Sequence, residues 1–444
     1  MAEGSHARHA KTPMHHQLND LRSRHLSGLS GGQVAVCSAH PLVLAAAAAG
    51  AKKDGALLLV EATANQVNLS GGYTGMTPAD FADHMTRLAA DSGLAPEQVL
   101  LGADHLGPHL WRKLPAVEAM THAEALTRAF VAAGCGKLHL DTGRACADDP
   151  RGRLPVELAA QRAAALCRAA ESTAGHFRKQ PPLYVIGTEV PAPGGALGQD
   201  GAISVTNPQD LRAELAHYEK AFSRAGVEQA WERIIAVVVQ PGVDFDNLRV
   251  AAYHWQAAAA LSAFHERLPN AMTFEIHAAD YQAPSALKQM VRDHFTLLKI
   301  GPCLTFALRE ALFTLAHIEN ELPGLAHPSD LMAVMERLMQ AHPEHWDTHC
   351  HGTAQARYYL RRYGLRDRIR YYWPRTDARR ACEQLMHNLR RPIPHPLLLQ
   401  FLPDLAGAIT NGTLPPKPEA ILQSRIQSAL HPYVDACRTH AHAA

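Results

Sequence analysis

Short apolar runs alternate with alanine-rich segments along about three hundred residues of the chain. The runs are rich in Val, Ile and Leu, a pattern typical of buried parallel strands. Eight such runs occur: QVAVCSA (33–39), ALLLVEAT (56–63), VLLGADH (99–105), KLHLDTG (137–143), LYVIGTEV (183–190), RIIAVVVQPG (233–242), MTFEIHAAD (272–280) and TLLKIGPCL (296–304).

Each run is followed by a segment that we predict to be a helix. Two of these segments begin at Thr77 and Asn207, each followed by proline, and others end at Gly134 and Gly226; these residues favour helix starts and stops. The helix after the sixth run is predicted within 247–268. Eight strand–helix units indicate an α/β fold, a (β/α)8 TIM barrel. The alternative, a doubly wound open sheet, would require a glycine-rich turn after its first strand, and CSAHP is not one.

The strand pattern stops beyond Glu319. Helical segments separated by Pro and Gly follow, among them GTAQARYYLRRYG (352–364) and PLLLQFLPDLAGAI (396–409). We therefore expect three parts: a disordered or tag-like N-terminus (1–19), the barrel (20–320) and a C-terminal helical extension (321–444).

Composition narrows the classes of function. Hydrophobic residues make up 47% and charged residues 19% of the chain, and 43 basic residues face 42 acidic ones. No basic stretch suits nucleic acid, and no long apolar run suits a membrane. The eight cysteines include no CxxC pair, which favours free thiols in a reducing cytoplasm. A homo-oligomer is possible.

Polar residues occur where a barrel places catalytic groups, at the carboxyl ends of the strands. Side chains two apart on a strand share a face, so His139 and Asp141 should point together, as should Glu275 and His277. If these faces point inward, the mouth of the barrel is strongly acidic. The full set is Glu61, Asp104, His105, His139, Asp141, Glu189, Gln240, Glu275, His277 and Lys299.

A divalent metal would neutralise such a cluster. Imidazole and carboxylate groups suit Zn²⁺, Mn²⁺ or Ni²⁺, so we predict His105, Glu189 and His277 as ligands, with Asp141 or Glu275 next. Structural alternatives remain: Asp104 could cap a turn, Glu61 could accept loop hydrogen bonds, and Glu275 could pair with Lys299.

Three further features concern substrate binding. Lys299 could form a Schiff base, but the many carboxylates favour a charged, substrate-binding role. Gly301 and Thr305 at a helix start could hold a phosphate. Arg366, Arg368 and Arg370 could reach over the mouth, but we favour a solvated helix face for them.

Several long motifs resemble the GatZ/KbaZ family associated with tagatose-1,6-bisphosphate aldolase. They are EATANQVNLSGGYTGMTPADF (61–81), LLGADHLGP (100–108), KLHLDTGRACADDP (137–150), YVIGTEVPAPGG (184–195), VVVQPGVDF (238–245), DYQAPSAL (280–287), LKIGPCLTFALREALF (298–313) and RIRYYWP (368–374). The resemblance runs from about residue 20 to the C-terminus. GRACADDP lacks the Ser-Met-Ser expected before CADDP, which weakens any substrate role for that loop.

The resemblance implies a TIM barrel with a helical extension and one of two functions. Some members are non-catalytic subunits that support a class II tagatose-bisphosphate aldolase subunit, and others are tagatose 6-phosphate 4-epimerases. The Asp104–His105 pair also resembles the dyad of class II aldolases, in which the histidine binds zinc and the aspartate handles the proton.

A retro-aldol hypothesis joins the two activities. In it Asp104 moves the proton at C4 while His105, Glu189 and His277 hold the metal. Glu61 or Glu275 relays a second proton, and Asn65, Gln240 and Lys299 orient hydroxyl groups. Asp141, Gly301 and Thr305 complete the predicted substrate contacts. A redox route would need NAD, and no GxGxxG motif follows a strand.

Overall fold

The computed structural model describes residues 18–152, 154–187 and 203–441. Its centre is a closed barrel of eight parallel strands in which each strand pairs with the next along the chain and the eighth pairs with the first. The barrel predicted from the sequence is confirmed. The strands are β1 (Gln33–Val36), β2 (Leu58–Thr63), β3 (Val99–Leu106), β4 (Lys137–Leu140), β5 (Leu183–Ile186), β6 (Ile234–Val239), β7 (Thr273–Ile276) and β8 (Phe295–Ile300).

A ring of helices covers the barrel because the outward strand residues are apolar and need a partner layer. The α2 helix begins with a capping box, in which Thr77 and Asp80 satisfy each other's backbone N–H groups, and Asn207 caps α5. Gly134 ends α3 in the left-handed conformation. The helices are α1 (Pro41–Asp54), α2 (Pro78–Asp91), α3 (Ala116–Ala133), α4 (Val156–His176), α5 (Pro208–Arg224), α6 (Trp255–Phe264), α7 (Pro284–Arg292) and α8 (Pro302–Asn320).

The helix prediction for 247–268 is wrong in its first part. A two-stranded ribbon pairs Asp244–Phe245 with Val250–Ala251, and α6 starts only at Trp255. The Asp246 carboxylate accepts hydrogen bonds from the backbone N–H groups of Leu248 and Arg249. This local turn competes with helix formation, as short acidic side chains commonly do.

The C-terminal region is helical, as predicted. Its last helix packs against α8, α1 and α7, so the region lies on the barrel wall. The segment 396–409 forms two helices rather than one, because Pro403 interrupts the chain after Leu402. The helices are α9 (Leu331–Ala341), α10 (Ala354–Tyr363), α11 (Thr376–Asn388), α12 (His395–Phe401), α13 (Pro403–Thr410) and α14 (Pro418–Cys437).

Two observations complete the fold. Leu29–Ser30, before β1, pairs antiparallel with His440–Ala441, after α14. In the described part of the chain no helix has the length and apolar character needed to span a bilayer. The predicted division of the chain at residues 20 and 320 stays a prediction, and most of the predicted N-terminal part lies outside the described residues.

Candidate active site

An open cavity of about 800 Å³ lies at the carboxyl ends of the strands. Asp104 and His105 of β3, Lys299 of β8 and His277, just after β7, line its floor, and Arg370 and Tyr371 from the C-terminal region form part of its rim. This is the end of a TIM barrel at which enzymes place their active sites.

Asp104, near the end of β3, lies at the centre of the floor. Its Oδ1 atom is 2.8 Å from His139 Nδ1 and 2.5 Å from Lys299 Nζ. Burial acts to raise the pKa of Asp104, but the charges of His105 and Lys299 and the hydrogen bond from His139 hold that pKa well below its ordinary value. Asp104 is therefore a buried, ionised carboxylate. Its Oδ1 atom also accepts a hydrogen bond from the His105 backbone N–H, so a local acceptor role exists beside the ionic contacts.

His105 adopts the left-handed backbone conformation, with φ of 55°. Such a conformation is uncommon outside glycine and is concentrated at functional sites. Its Nδ1 atom lies 3.0 Å from Asp141 Oδ2. Burial opposes protonation, but Asp104 and Asp141 together raise the pKa of His105. Two residues on, Gly107 is required because a Cβ atom there would overlap the Asp141 backbone oxygen.

Below this layer, two lysines cross-link two glutamates inside the barrel. Lys137 Nζ lies 2.5 Å from Glu61 Oε1 and 2.7 Å from Glu275 Oε2. Lys299 Nζ lies 2.8 Å from Glu275 and 3.2 Å from Glu61. Burial lowers the pKa of Lys299, but Asp104, Glu275 and Glu61 raise it well above its ordinary value. This agrees with a charged role for Lys299 rather than a Schiff base.

The described charges of the site do not balance. Five carboxylates (Glu61, Asp104, Asp141, Glu275 and Asp280) face two ammonium groups and the Arg370 guanidinium, which leaves two negative charges in excess apart from any imidazolium. A divalent cation would compensate such an excess.

Three imidazole rings converge beside these carboxylates. The ring centroids of His105, His139 and His277 are 5.0 to 5.4 Å apart. Each ring contacts a carboxylate. His105 contacts Asp141 through Nδ1 and lies 3.3 Å from Asp104 through Nε2, whereas His277 Nε2 lies 2.9 Å from Glu275. His139 contacts Asp104 through Nδ1, and its Nε2 atom lies 3.1 Å from the Gly187 backbone oxygen. Metal-binding histidines commonly have such a carboxylate partner.

The donor atoms also form groups compact enough to hold one ion. Asp104, His105 and His139 form one group, and His139, Glu275 and His277 form another. His139 belongs to both, although the sequence did not rank it as a ligand. Of the predicted ligand set, His105 and His277 are close to each other, whereas Glu189 lies outside the described residues.

Other predicted substrate contacts are placed differently. Asn65 and Thr305 line the cavity. Gln240 does not, and its Oε1 atom accepts hydrogen bonds from the backbone of Gly242 and Val243. Gly301 lines the cavity, but its N–H donates to Asp280 Oδ1, as does that of Cys303. The backbone donors predicted for phosphate therefore already have an internal acceptor.

The interpretation of 366–370 as a solvated face is wrong for Arg370. This residue is half-buried and lines the cavity, because the short helix Arg368–Tyr372 folds over the mouth. Only a tertiary contact brings it there.

Lys137 is a charged residue of the site that the sequence analysis did not name. It is fully buried. It stands two residues before His139 and four before Asp141, so strand alternation alone places all three on one face.

The closed barrel and its charged mouth define the class: a TIM barrel with an enzyme-like cavity. Residues 18–438 match the family described as D-tagatose-1,6-bisphosphate aldolase subunit GatZ/KbaZ-like. The chain belongs to this family.

Two solved structures resemble this chain to different degrees. A crystal structure described as a probable tagatose 6 phosphate kinase from Sinorhizobium meliloti 1021 is 41% identical, with a TM-score of 0.83, covering 91% of this chain and 100% of its own. The fructuronate-tagaturonate epimerase UxaE of Cohnella laeviribosi is 11% identical, with a TM-score of 0.48, covering 91% of this chain and 82% of its own. The latter resemblance is too distant to bear on function.

Proposed function

We propose that this protein is a metal-dependent 4-epimerase that interconverts tagatose 6-phosphate and fructose 6-phosphate by retro-aldol and aldol steps. The observation that carries the proposal is Asp104, a buried carboxylate at the cavity floor in contact with His139 and Lys299. Family membership supports tagatose-phosphate chemistry.

A metal fits the donor set described above. His105, His139 and His277 would hold it, and Glu189 stays a predicted further ligand. When bound, a divalent ion would act as a Lewis acid toward the substrate's carbonyl oxygen.

The chain's own groups supply the proton transfers. Asp104 accepts the proton of the C4 hydroxyl as the C4–O bond becomes a carbonyl and the C3–C4 bond breaks. The electron pair of that bond passes to C3, giving a three-carbon enediolate and glyceraldehyde 3-phosphate.

Epimerisation requires the aldehyde to turn before the bond forms again. Attack by C3 on the opposite face of the carbonyl inverts C4, and the proton returns from Asp104 to the new alkoxide. Lys299, Glu61 or Glu275 and Asn65 would orient hydroxyl groups or relay a second proton. Gln240 is left out because its side-chain oxygen is engaged in a turn.

The direct test uses the purified chain alone. We expect it to convert tagatose 6-phosphate to fructose 6-phosphate, to lose this activity after chelation, and to regain it with Zn²⁺, Mn²⁺ or Ni²⁺. Substrate deuterated at C4 separates mechanisms: the retro-aldol route breaks no C4–H bond, so deuterium is retained without a primary isotope effect. A primary effect would instead indicate hydride transfer.

A second function is favoured by the family's description as an aldolase subunit. In this case the chain would stabilise a class II tagatose-bisphosphate aldolase partner without turnover of its own. Absence of conversion with every metal tried, together with stabilisation of such a partner, would replace the epimerase proposal. Burial of unneeded carboxylates would carry an energetic cost in such a subunit.

A further inference from the structure

Arg370 is a cation from outside the barrel that faces the same cavity as Asp104. It lies in the short helix Arg368–Tyr372 of the C-terminal region, and it lines the cavity together with Asn65 and Thr305. The cavity therefore has an acidic floor on the strands and a basic group on its rim.

The Arg370 guanidinium is fixed in place. Its Nη1 atom donates to the backbone oxygens of Arg366 and Asp367, and its Nη2 atom lies 3.3 Å from Tyr371 Oη. Its Cζ atom lies 4.7 Å from the centre of the Tyr371 ring. Backbone carbonyls and an aromatic ring hold the side chain without neutralising its charge.

The other cations near the cavity are already paired. Lys299 contacts three carboxylates, and Arg375, on the outer side of the rim, contacts Glu344. Within 18–152, 154–187 and 203–441, no carboxylate oxygen lies within 4.0 Å of an Arg370 nitrogen. Asp367 acts on Arg370 from beyond that distance and is itself paired with Arg309 at 3.4 Å, so among the described residues Arg370 is the cavity-lining cation that contacts no carboxylate.

We propose that Arg370 binds the phosphate monoester of the substrate, with the Asn65 amide as a further donor. The Thr305 hydroxyl already donates to the Pro302 carbonyl oxygen, so it contributes no donor here. This proposal rests on the proposed function and deepens it, because it makes the C-terminal region the part that selects phosphorylated ketoses over free ones. A guanidinium offers two parallel N–H groups to a phosphate, which suits this task.

The charges of the cavity also determine the orientation of the bound sugar phosphate. The carboxylates in and behind the floor (Asp104, Asp141, Glu61 and Glu275) outnumber the two lysines that contact them, so this end of the cavity repels a phosphate dianion, whereas Arg370 attracts it. The phosphate is therefore held at the rim while C4 lies near Asp104. Tyr73 and Tyr371, whose ring centroids are 4.5 Å apart, form the wall beside this site.

The test compares kcat/KM for tagatose 6-phosphate and free tagatose in matched variants. Arg370→Met should lower the value for the phosphorylated sugar about 10- to 100-fold and leave that for the free sugar unchanged. Arg370→Lys should recover part of the loss. Arg368→Met is the control: Arg368 lies in the same helix and contacts the same Tyr371 hydroxyl at 3.4 Å, but it does not line the cavity.

A binding measurement distinguishes failure of the phosphate-site proposal from failure of the epimerase proposal. Fructose 6-phosphate should raise the melting temperature of the wild-type chain and of Arg368→Met, free fructose should not, and Arg370→Met should lose the response. If the wild type is inactive but shows this pattern, the epimerase proposal fails and the phosphate site stands. If folded Arg370→Met binds and discriminates like the wild type, or if the wild type shows no response, the phosphate site is overturned.

Discussion

Three histidine rings converge at each end of the barrel, in opposite surroundings. At the carboxyl end, His105, His139 and His277 each contact a carboxylate. At the amino end, His25, His265 and His294 pack on one another. His265 and His294 stack with centroids 4.4 Å apart, and His25 Nδ1 lies 2.9 Å from His294 Nδ1.

The two groups of three histidines, called here the amino-end and carboxyl-end trios, differ in how their surroundings shift the histidine pKa. At the amino end, burial and the charges of His294, His25 and Arg22 lower the pKa of His265 to about 3. At the carboxyl end, carboxylates outweigh burial and raise the pKa of His105. A cluster of histidines therefore indicates chemistry only when groups that orient and charge the rings accompany it.

The largest expected effect is at Asp104. Asp104→Asn keeps the shape of the side chain but removes the proton acceptor, so kcat/KM for tagatose 6-phosphate should fall about 1000-fold, within the range for general base catalysis. A coupled assay for fructose 6-phosphate measures it, and circular dichroism checks the fold. Activity within a few-fold of wild type would remove Asp104 from the mechanism.

A variant of Lys137 tests whether the buried charges at the carboxyl end of the barrel also stabilise the fold. Lys137→Met leaves Glu61 and Glu275 with one cation in place of two, so the free energy of unfolding should fall by about 3–5 kcal/mol. Urea denaturation measures it. The double variant Lys137→Met with Glu275→Gln should recover part of the loss, because one of the two stranded charges is then removed. An unchanged single variant would show that the buried ion pairs contribute little.

The trios can be compared directly through metal binding. The wild type should bind about one equivalent of Zn²⁺ or Mn²⁺, as a single catalytic site would. His139→Phe should abolish this binding, because His139 belongs to both candidate ligand groups. His265→Phe, the matched substitution at the amino end, should leave it unchanged. Metal analysis after dialysis gives the result, and loss of metal in His265→Phe would reverse the assignment of the two trios.

The fold could be predicted from the sequence because strand and helix periodicity is local. All eight strands lie within their predicted segments apart from one residue at each of two ends. Most of the described polar residues at the carboxyl ends of the strands converge, but Gln240 is engaged in a local turn instead. The turn at Asp246 could not be read from helical periodicity, because a side-chain cap outweighs it there.

The candidate site was harder to predict from the sequence than the fold, for a different reason. Lys137 stands at the start of a short, largely apolar run, so the sequence pattern did not single it out as a site residue. Its spacing from His139 nevertheless places it on the inner face of the strand. Arg370 comes from a segment whose packing over the mouth depends on tertiary contacts, so its charge pattern resembles that of a solvated helix.

The smallest expected effect is on the stability of a His265 variant. Its pH dependence distinguishes the histidines at the amino end from those at the carboxyl end. Both ring nitrogens of His265 lack a hydrogen-bond partner among the described residues. His265→Phe therefore loses no hydrogen bond and should raise the free energy of unfolding by about 1 kcal/mol at neutral pH.

The gain from His265→Phe should grow in acid. His265 has a pKa of about 3 in the folded chain and 6.5 as its ordinary value, so the unfolded chain binds the proton more readily between these values. The proton-linked loss of stability at His265 is therefore absent above pH 6.5 and grows as the pH falls toward 3. Urea denaturation at pH 7.5 and 5.5 should show wild type losing more stability than His265→Phe. Equal losses would mean that the amino-end trio takes up protons without opposing the fold, and the contrast between the two ends would rest on the carboxylates alone.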